Sequence, residues 1–169
     1  MTVISQTSIF VPMAKKELSG PEQEAQRLQR EAQLHHDTEI LRIAAQYIEL
    51  MKQAVIQAKE WLPDVELRHL SGSEESAYLK KKGHRPLTKG DLTTLILLYG
   101  DADQKQTVES FKVAQGDVSK RLEGMSNLGL LLSQAEVNYN TYYIRRKDPE
   151  RWKAEEIINI MNVLERLKL

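Results

Sequence analysis

The sequence contains no cysteine. This absence excludes disulfide bonds, thiolate metal sites and cysteine nucleophiles, and it suits a reducing cytoplasm. The chain also lacks an apolar run of about 18 residues, which a membrane-spanning helix needs. Its first twenty residues have no basic start followed by a long apolar stretch, so we read no signal peptide. We therefore expect a cytoplasmic protein that makes no contact with a membrane.

Motifs of catalysis are missing as well. The sequence has no P-loop, no G-x-S-x-G, no H-E-x-x-H and no dinucleotide-binding glycine pattern. The carboxylate pairs Glu74-Glu75 and Glu155-Glu156 are adjacent in sequence, so their side chains face different ways on a helix. His35 and Glu39 have the i, i+4 spacing of two metal ligands, but no third ligand is indicated and solvated helix residues explain them better. We expect no enzyme, no cofactor and no metal.

What the chain does contain is enough apolar surface for a core and an uneven distribution of charge. Hydrophobic residues make up 41% of the 169 residues and charged residues 28%, with a formal net charge of zero. Residues 1–79 carry 8 Lys/Arg and 12 Asp/Glu, a net of −4, and residues 80–153 carry 14 and 9, a net of +5. Residues 154–169 carry 2 and 3, a net of −1. A basic middle segment between acidic flanks leaves an acidic partner such as nucleic acid open.

The spacing of apolar residues predicts how the chain is divided into segments. Residues 1–20 read as a flexible leader. Residues 21–62 predict a long helix, or two helices with a break near His35-His36, with Leu34, Leu41, Ile48 and Val55 recurring every seven residues. One helix of this length is longer than a small domain buries against itself. Residues 63–86 read as a linker with a basic arm at Lys80–Lys82 and a short strand at 65–70, and residues 149–169 as a C-terminal amphipathic helix. We expect a homodimer through residues 21–62 and 149–169, or a protein partner on the long helix.

The stretch FKVAQGDVSKRLEGMSNLGLL, residues 111–131, does not fit one helix. Gly116 and Gly124 would each cost about 1 kcal/mol in a helix interior, and the apolar positions lose phase near Val113. Two helices, 104–111 and 115–127, with a turn at residues 112–114, accommodate the pattern.

This arrangement, in VESFKVAQGDVSKRL, resembles the helix-turn-helix core of winged-helix bacterial transcription regulators of the MarR/ArsR-like group. Leu122-x-x-Met125-x-x-Leu128-Gly129-Leu130 is similar to the exit of that family's recognition helix. Residues 130–136 and 141–146 would form the two strands of the wing, with VNYN at the hairpin tip. The resemblance implies a fold that is mainly α with a small β-hairpin, with the winged helix-turn-helix domain at residues 87–147 between the long N-terminal helix and the C-terminal helix.

The resemblance also implies double-stranded DNA as the partner and a set of contact residues. The recognition helix, about 115–127, would enter the major groove, and the wing, about 130–146, would contact the backbone or minor groove. The implied DNA-binding residues lie on the turn, the recognition helix and the wing: Lys112, Gln115, Asp117, Ser119, Lys120, Arg121, Asn138, Tyr139, Asn140, Arg145, Arg146 and Lys147.

Two functions follow as expectations. The first is a dimeric, nucleoid-associated transcription regulator that binds DNA sequence-specifically, with repression the commoner role in that group. The second is a non-catalytic assembly protein, such as a phage or plasmid replication or partition factor, that binds protein partners through the winged helix and the long helix. Lys112 and Ala114, where the family's turn has Gly and Ser, favour the second.

Overall fold

The computed structural model describes residues 19–169, and within that range the chain forms helices and turns but no β-strand. Nearly all of the expected leader, residues 1–18, lies outside the described residues. The α-helices of the described range are α1 (Gly20–Trp61), α2 (Glu74–Lys81), α3 (Lys89–Tyr99), α4 (Ala102–Leu122), α5 (Leu128–Gln134), α6 (Tyr139–Lys147) and α7 (Ala154–Leu167). Single 3₁₀ turns occur at Leu67–His69 and Pro149–Arg151.

Among the described residues, those from 19 to 33 and those from 34 to 169 form two separate units. In the first unit, the residues of α1 from 20 to 32 are all exposed to solvent. Local interactions favour the helix here: Arg27 forms ion pairs with Glu24 at 2.6 Å and with Glu31 at 4.0 Å. The residues are mostly strong helix formers, which lowers the intrinsic cost of this segment.

In the second unit, the buried face of α1 differs from the expected heptad stripe. The buried side chains are Ile40, Ala44, Leu50, Met51, Ala54 and Ala58. Of the expected stripe, Leu41 and Ile48 are partly buried beside this face, whereas Leu34 and Val55 are 56% and 57% exposed.

Helix α4 is continuous from Ala102 to Leu122, so the predicted turn at residues 112–114 is wrong. Phe111, Ala114, Val118 and Leu122 recur at three and four residues and are all buried on one face. The stabilisation from burying this face exceeds the cost of about 1 kcal/mol for Gly116 in a helix interior.

The predicted wing is also wrong. Helix α5 lies where the first strand was expected and helix α6 where the second was expected, with Asn138 capping α6 by accepting a hydrogen bond from the Thr141 amide at 2.7 Å. Leu131 and Leu132 are adjacent and both are buried, which an alternating half-exposed strand does not allow. The fold is mainly α, and the described residues contain neither a β-hairpin nor a winged helix.

The expected linker, residues 63–86, is largely structured. The predicted strand at 65–70 is a 3₁₀ turn, and α2 follows it. Val65, Leu70 and Ala77 are buried in a cluster with Leu95 and Ile96 of α3. Burial of these residues fixes the segment against the helices instead of leaving it as a free connection.

The C-terminal helix α7 has the expected amphipathic character, but the chain itself covers its apolar face. Ile157, Ile160 and Leu164 are at most 1% exposed and pack in a cluster with residues of α1, α4, α5 and α6. That face is therefore not available for the dimer contact that the sequence suggested for residues 149–169.

A candidate nucleic-acid interface

Helices α5 and α6 are joined by four residues, 135–138. Ala135 and Val137 are buried, at 1% and 5% exposed, and Glu136 between them has a φ of 58°. The Val137 amide donates a hydrogen bond to the Leu132 carbonyl at 2.9 Å, which closes the turn. A left-handed residue lets the chain reverse its path sharply, so α6 starts immediately beside the end of α5.

The inner face of α6 is fixed to the rest of the second unit. Tyr142 is 3% exposed and belongs to the apolar cluster that includes α7. Arg145 donates two hydrogen bonds to Glu156, at 3.1 and 3.2 Å, from side chains that are 14% and 19% exposed. A bidentate ion pair of this kind defines orientation as well as position. Together these contacts determine which side of α6 faces solvent.

The outward face of α6 carries aromatic, amide and cationic side chains. Tyr143 is 52% exposed, and Asn140 and Lys147 are exposed on the same side at helical spacing. Tyr139 and Arg146 border this face, and the rings of Tyr139 and Tyr143 have centroids 6.3 Å apart. Within residues 19–169, neither Arg146 nor Lys147 forms an ion pair. We refer to residues 139, 140, 143, 146 and 147 as the α6 surface.

The structure places the predicted wing residues and the predicted recognition-helix residues very differently. Tyr139, Asn140, Arg146 and Lys147 are brought together on the α6 surface, while Asn138 caps the helix and Arg145 binds Glu156.

Two residues predicted to read DNA bases are buried instead. Gln115, at 5% exposed, donates hydrogen bonds from Nε2 to the Glu150 carbonyl at 2.8 Å and the Trp152 carbonyl at 2.7 Å. Ser119 accepts a hydrogen bond from Nε1 of Trp152 at 2.9 Å. The prediction that Gln115 and Ser119 project outward is wrong, because the buried face of α4 that contains Val118 and Leu122 is wide enough to include both.

Arg121 and Asp117 connect α4 with α1 in the second unit. Arg121 donates from Nε to the Asp37 carboxylate at 3.2 Å and from a terminal nitrogen to the Leu169 carbonyl at 2.7 Å. Asp117 lies 3.5 Å from Nε2 of His36. Arg121 is thus occupied by contacts within the chain.

The two lysines predicted on this helix lie on the solvent side. Lys112 is 3.5 Å from Glu109, and Lys120 is 3.8 Å from Asp117 with its side chain 79% exposed. They are not on the same element as the α6 surface.

The expected basic arm is only partly a surface feature. Lys80 is 6% exposed and donates hydrogen bonds from Nζ to Asp91 at 2.7 Å and to the carbonyl and hydroxyl oxygens of Ser71 at 2.8 Å. Lys81 donates to the Val65 carbonyl at 2.6 Å. Two of the three lysines therefore stabilise the fold, and only Lys82 is exposed.

Asp91 is the counter-ion of Lys80 and closes a hydrogen-bond network at the start of α3. Its carboxylate accepts from the Ser71 amide at 2.6 Å and the Thr88 amide at 2.8 Å. Burial raises the pKa of Asp91, but the hydrogen bonds from Lys80, Ser71 and Thr88 outweigh burial and hold that pKa well below its usual range.

His35 and Glu39 were considered as metal ligands. The carboxylate of Glu39 forms an ion pair with Arg42 on the same helix. Among residues 19–169, no group of three His, Asp or Glu side chains lies close enough to hold a metal ion. No helix in this part of the chain is both long enough and apolar enough to cross a bilayer.

Comparison with protein-family models, with curated proteins and with solved structures finds no match to the chain. The resemblance to the MarR/ArsR-like group therefore stays a prediction, and the helices α5 and α6 contradict its wing.

Tyr143 was not among the residues predicted to contact DNA, and its neighbours were predicted on a hairpin instead of a helix. A usable signal was Asn138 followed three residues later by Thr141, which is the spacing of a helix N-cap and its hydrogen-bond donor.

Proposed function

We propose that this chain is a non-catalytic, double-stranded DNA-binding protein in which α5, its turn and α6 act as a helix-turn-helix. The observation that carries the proposal is the α6 surface, which combines aromatic, amide and unpaired cationic side chains. The turn through Glu136 and the buried anchor Tyr142 support it, because Tyr142 packs in the same apolar cluster as Leu131 and Leu132 of α5. In such units the second helix lies in the major groove with its N-terminal residues against base edges.

Each side chain of the α6 surface has a matching contact on DNA. Asn140, in the first turn, can form two hydrogen bonds with adenine, and the ring of Tyr143 provides apolar contact for a thymine methyl group. Arg146 and Lys147, in the last turn, suit phosphates, which fix the register without reading sequence.

The proposed role is that of a dimeric transcription regulator, with repression as the expected sign. A helix of nine residues reads only one half-site, so two copies are needed for a full operator. In this proposal the second copy binds along α1, where Val55 and Ile56 are 57% and 72% exposed. The role implies a cytoplasmic protein associated with the nucleoid.

A salt titration of DNA affinity tests the proposal. Fluorescence anisotropy with a labelled duplex of mixed sequence would be measured at several salt concentrations for the wild type and for Arg146→Ala/Lys147→Ala. Each lost phosphate contact makes the slope of log affinity against log salt less steep by about 0.9. For the double variant the slope should therefore be less steep by about twice that amount. Asn140→Ala should keep that slope and change the sequences selected from a random pool.

The matched control is Lys52→Ala/Lys59→Ala, which removes two exposed lysines from α1 and leaves the α6 surface intact. It should bind DNA as the wild type does. The DNA-binding proposal is refuted if micromolar wild-type protein binds no duplex at low salt. It is also refuted if the two double variants reduce the slope of log affinity against log salt by the same amount.

A second candidate is an assembly protein that binds a second copy of itself through the first part of α1. The observation that favours it is the exposure of residues 20–32, in which Leu28 is 53% exposed. These residues are the start of the 42-residue helix α1 and none of them is buried, so a partner helix packed along them would stabilise this part of α1. The partner that we propose is a second copy of this chain.

Light scattering of the wild type and of Leu28→Glu distinguishes these possibilities. A dimer that Leu28→Glu converts to a monomer supports pairing through this segment. A wild-type monomer at high concentration rules out self-association, and a dimer unaffected by Leu28→Glu rules out this surface.

A further inference from the structure

The second unit has an open cleft of about 340 Å³ bordered by α1, α3, α4 and the segment 150–154. This volume is within the range of small-molecule sites in proteins. Its apolar wall includes Tyr47 and Phe111, whose rings are stacked with centroids 3.8 Å apart and planes 8° apart. Phe111 is 4% exposed and supports Tyr47 from behind, so a flat ring in the cleft would contact the partly exposed ring of Tyr47.

Four cations border the same cleft, against one carboxylate. Lys89, Lys112, Arg151 and Lys153 are all exposed, and Glu150 is the single acidic residue of the lining, so the lining carries a net charge of +3. Three of these cations have carboxylate partners outside the lining at 3.0–3.5 Å. These surface pairs are weak and exchange readily for a more highly charged ligand.

The walls of the cleft are held in place by hydrogen bonds that do not involve the cations. Gln115 fixes the carbonyls of Glu150 and Trp152, and the hydroxyls of Tyr47 and Thr93 lie 3.1 Å apart. Trp152 is 1% exposed and lines the cleft. Because the walls are held before any ligand arrives, little ordering cost accompanies binding.

We propose that this cleft binds a mononucleotide-like ligand, that is, a planar ring carrying a phosphate. The cations meet the phosphate, and the apolar wall meets the ring. None of the α6 surface residues lines the cleft, so the proposal is independent of the DNA-binding function.

Tryptophan fluorescence tests the proposal, because Trp152 reports on the cleft and the only other tryptophan is Trp61. The experiment uses the full chain with Trp61→Phe and titrates AMP, adenosine and inorganic phosphate separately. AMP should give a saturable change with a Kd below about 1 mM, and adenosine and phosphate alone should each bind at least about tenfold more weakly. No saturable response to AMP overturns the proposal, and phosphate binding as tightly as AMP overturns the assignment of a planar ligand.

Two lysine variants locate the site. In the same background, Lys112→Ala/Lys153→Ala should weaken AMP binding by about tenfold or more, because two charge-assisted contacts are lost. The matched control, Lys52→Ala/Lys120→Ala, removes the same charge from residues that do not line the cleft. Equal weakening by both pairs shows general electrostatic attraction and overturns the site, provided that circular dichroism shows both variants folded. Isothermal calorimetry on the wild type is the second readout, which guards against an effect of Trp61→Phe itself.

Discussion

Replacing Asp91 by Asn removes the charge that neutralises a buried lysine while leaving the shape of the side chain almost unchanged. Asp91 and Lys80 are 2.7 Å apart, with side chains 1% and 7% exposed. The Asn side chain has one acceptor oxygen, so it keeps the bond from either the Ser71 amide or the Thr88 amide and loses the other along with the charge.

The free energy of unfolding should fall by a large amount because Lys80 keeps its charge in a poorly solvated position. Breaking a buried ion pair by removing one partner costs about 3–5 kcal/mol. The retained hydrogen bond puts Asp91→Asn at the lower end, about 3 kcal/mol. For a chain of this size each kcal/mol lowers Tm by about 2–4 °C, so we expect a fall of about 6–12 °C.

Urea unfolding and thermal melting followed by circular dichroism measure both quantities. The matched control is Lys52→Ala, which breaks an exposed pair with Glu49 at 3.5 Å between side chains 69% and 60% exposed. The free energy of unfolding of that control should fall by less than about 1 kcal/mol. A free energy of unfolding for Asp91→Asn within 1 kcal/mol of the wild type would refute the reasoning.

The ion pair of Lys80 and Asp91 also makes the stability of the fold depend on pH. The pKa of Asp91 in the folded chain lies below its ordinary value of 3.8, so in acid the unfolded chain takes up this proton first. The contribution of the pair is complete above that ordinary value and is lost as the pH falls through it towards the folded pKa. The wild type should therefore lose more stability between about pH 5 and pH 2 than Asp91→Asn does.

Three further substitutions test the turn and the packing around α6, each by urea unfolding. Glu136→Gly should raise the free energy of unfolding by about 0.5–1 kcal/mol, because glycine adopts the left-handed conformation without the cost that a Cβ imposes, and a loss would contradict the turn geometry. Tyr142→Ala should lower it by about 3–5 kcal/mol by leaving a cavity, and a loss below 1 kcal/mol would show that α6 is not anchored there. Trp152→Phe should cost about 1–3 kcal/mol, since it removes the hydrogen bond to Ser119 and part of a buried ring, and an unchanged stability would count against that contact.

Helices with clear apolar periodicity and terminal signals could be predicted from the sequence. The C-terminal helix α7 after Pro149 is such a case. There, local preferences and long-range packing favour the same structure. The long helix was also expected, but its buried face was not, because Ile40, Leu50 and Met51 pack together with alanines and lie outside the sevenfold repeat of Leu34, Leu41, Ile48 and Val55.

The region from 102 to 147 could not be predicted because weak local signals opposed strong packing. Gly116 suggested a break, yet the buried face through Phe111 and Val118 keeps α4 intact. Apparent alternation suggested strands, yet Leu131 and Leu132 are both buried in a helix. Contacts such as Gln115 with Trp152 join residues 37 positions apart, and no local pattern indicates them.

The most direct test of the central claim is to map amide chemical shifts of the full chain on adding a 20-base-pair duplex of mixed sequence at low salt. The account predicts that the largest changes occur in residues 135–147, which cover the turn and α6, and that Lys147→Ala reduces them. Changes confined to α1 or α4, or no change at all, would contradict the assignment of α6 as the helix that contacts DNA.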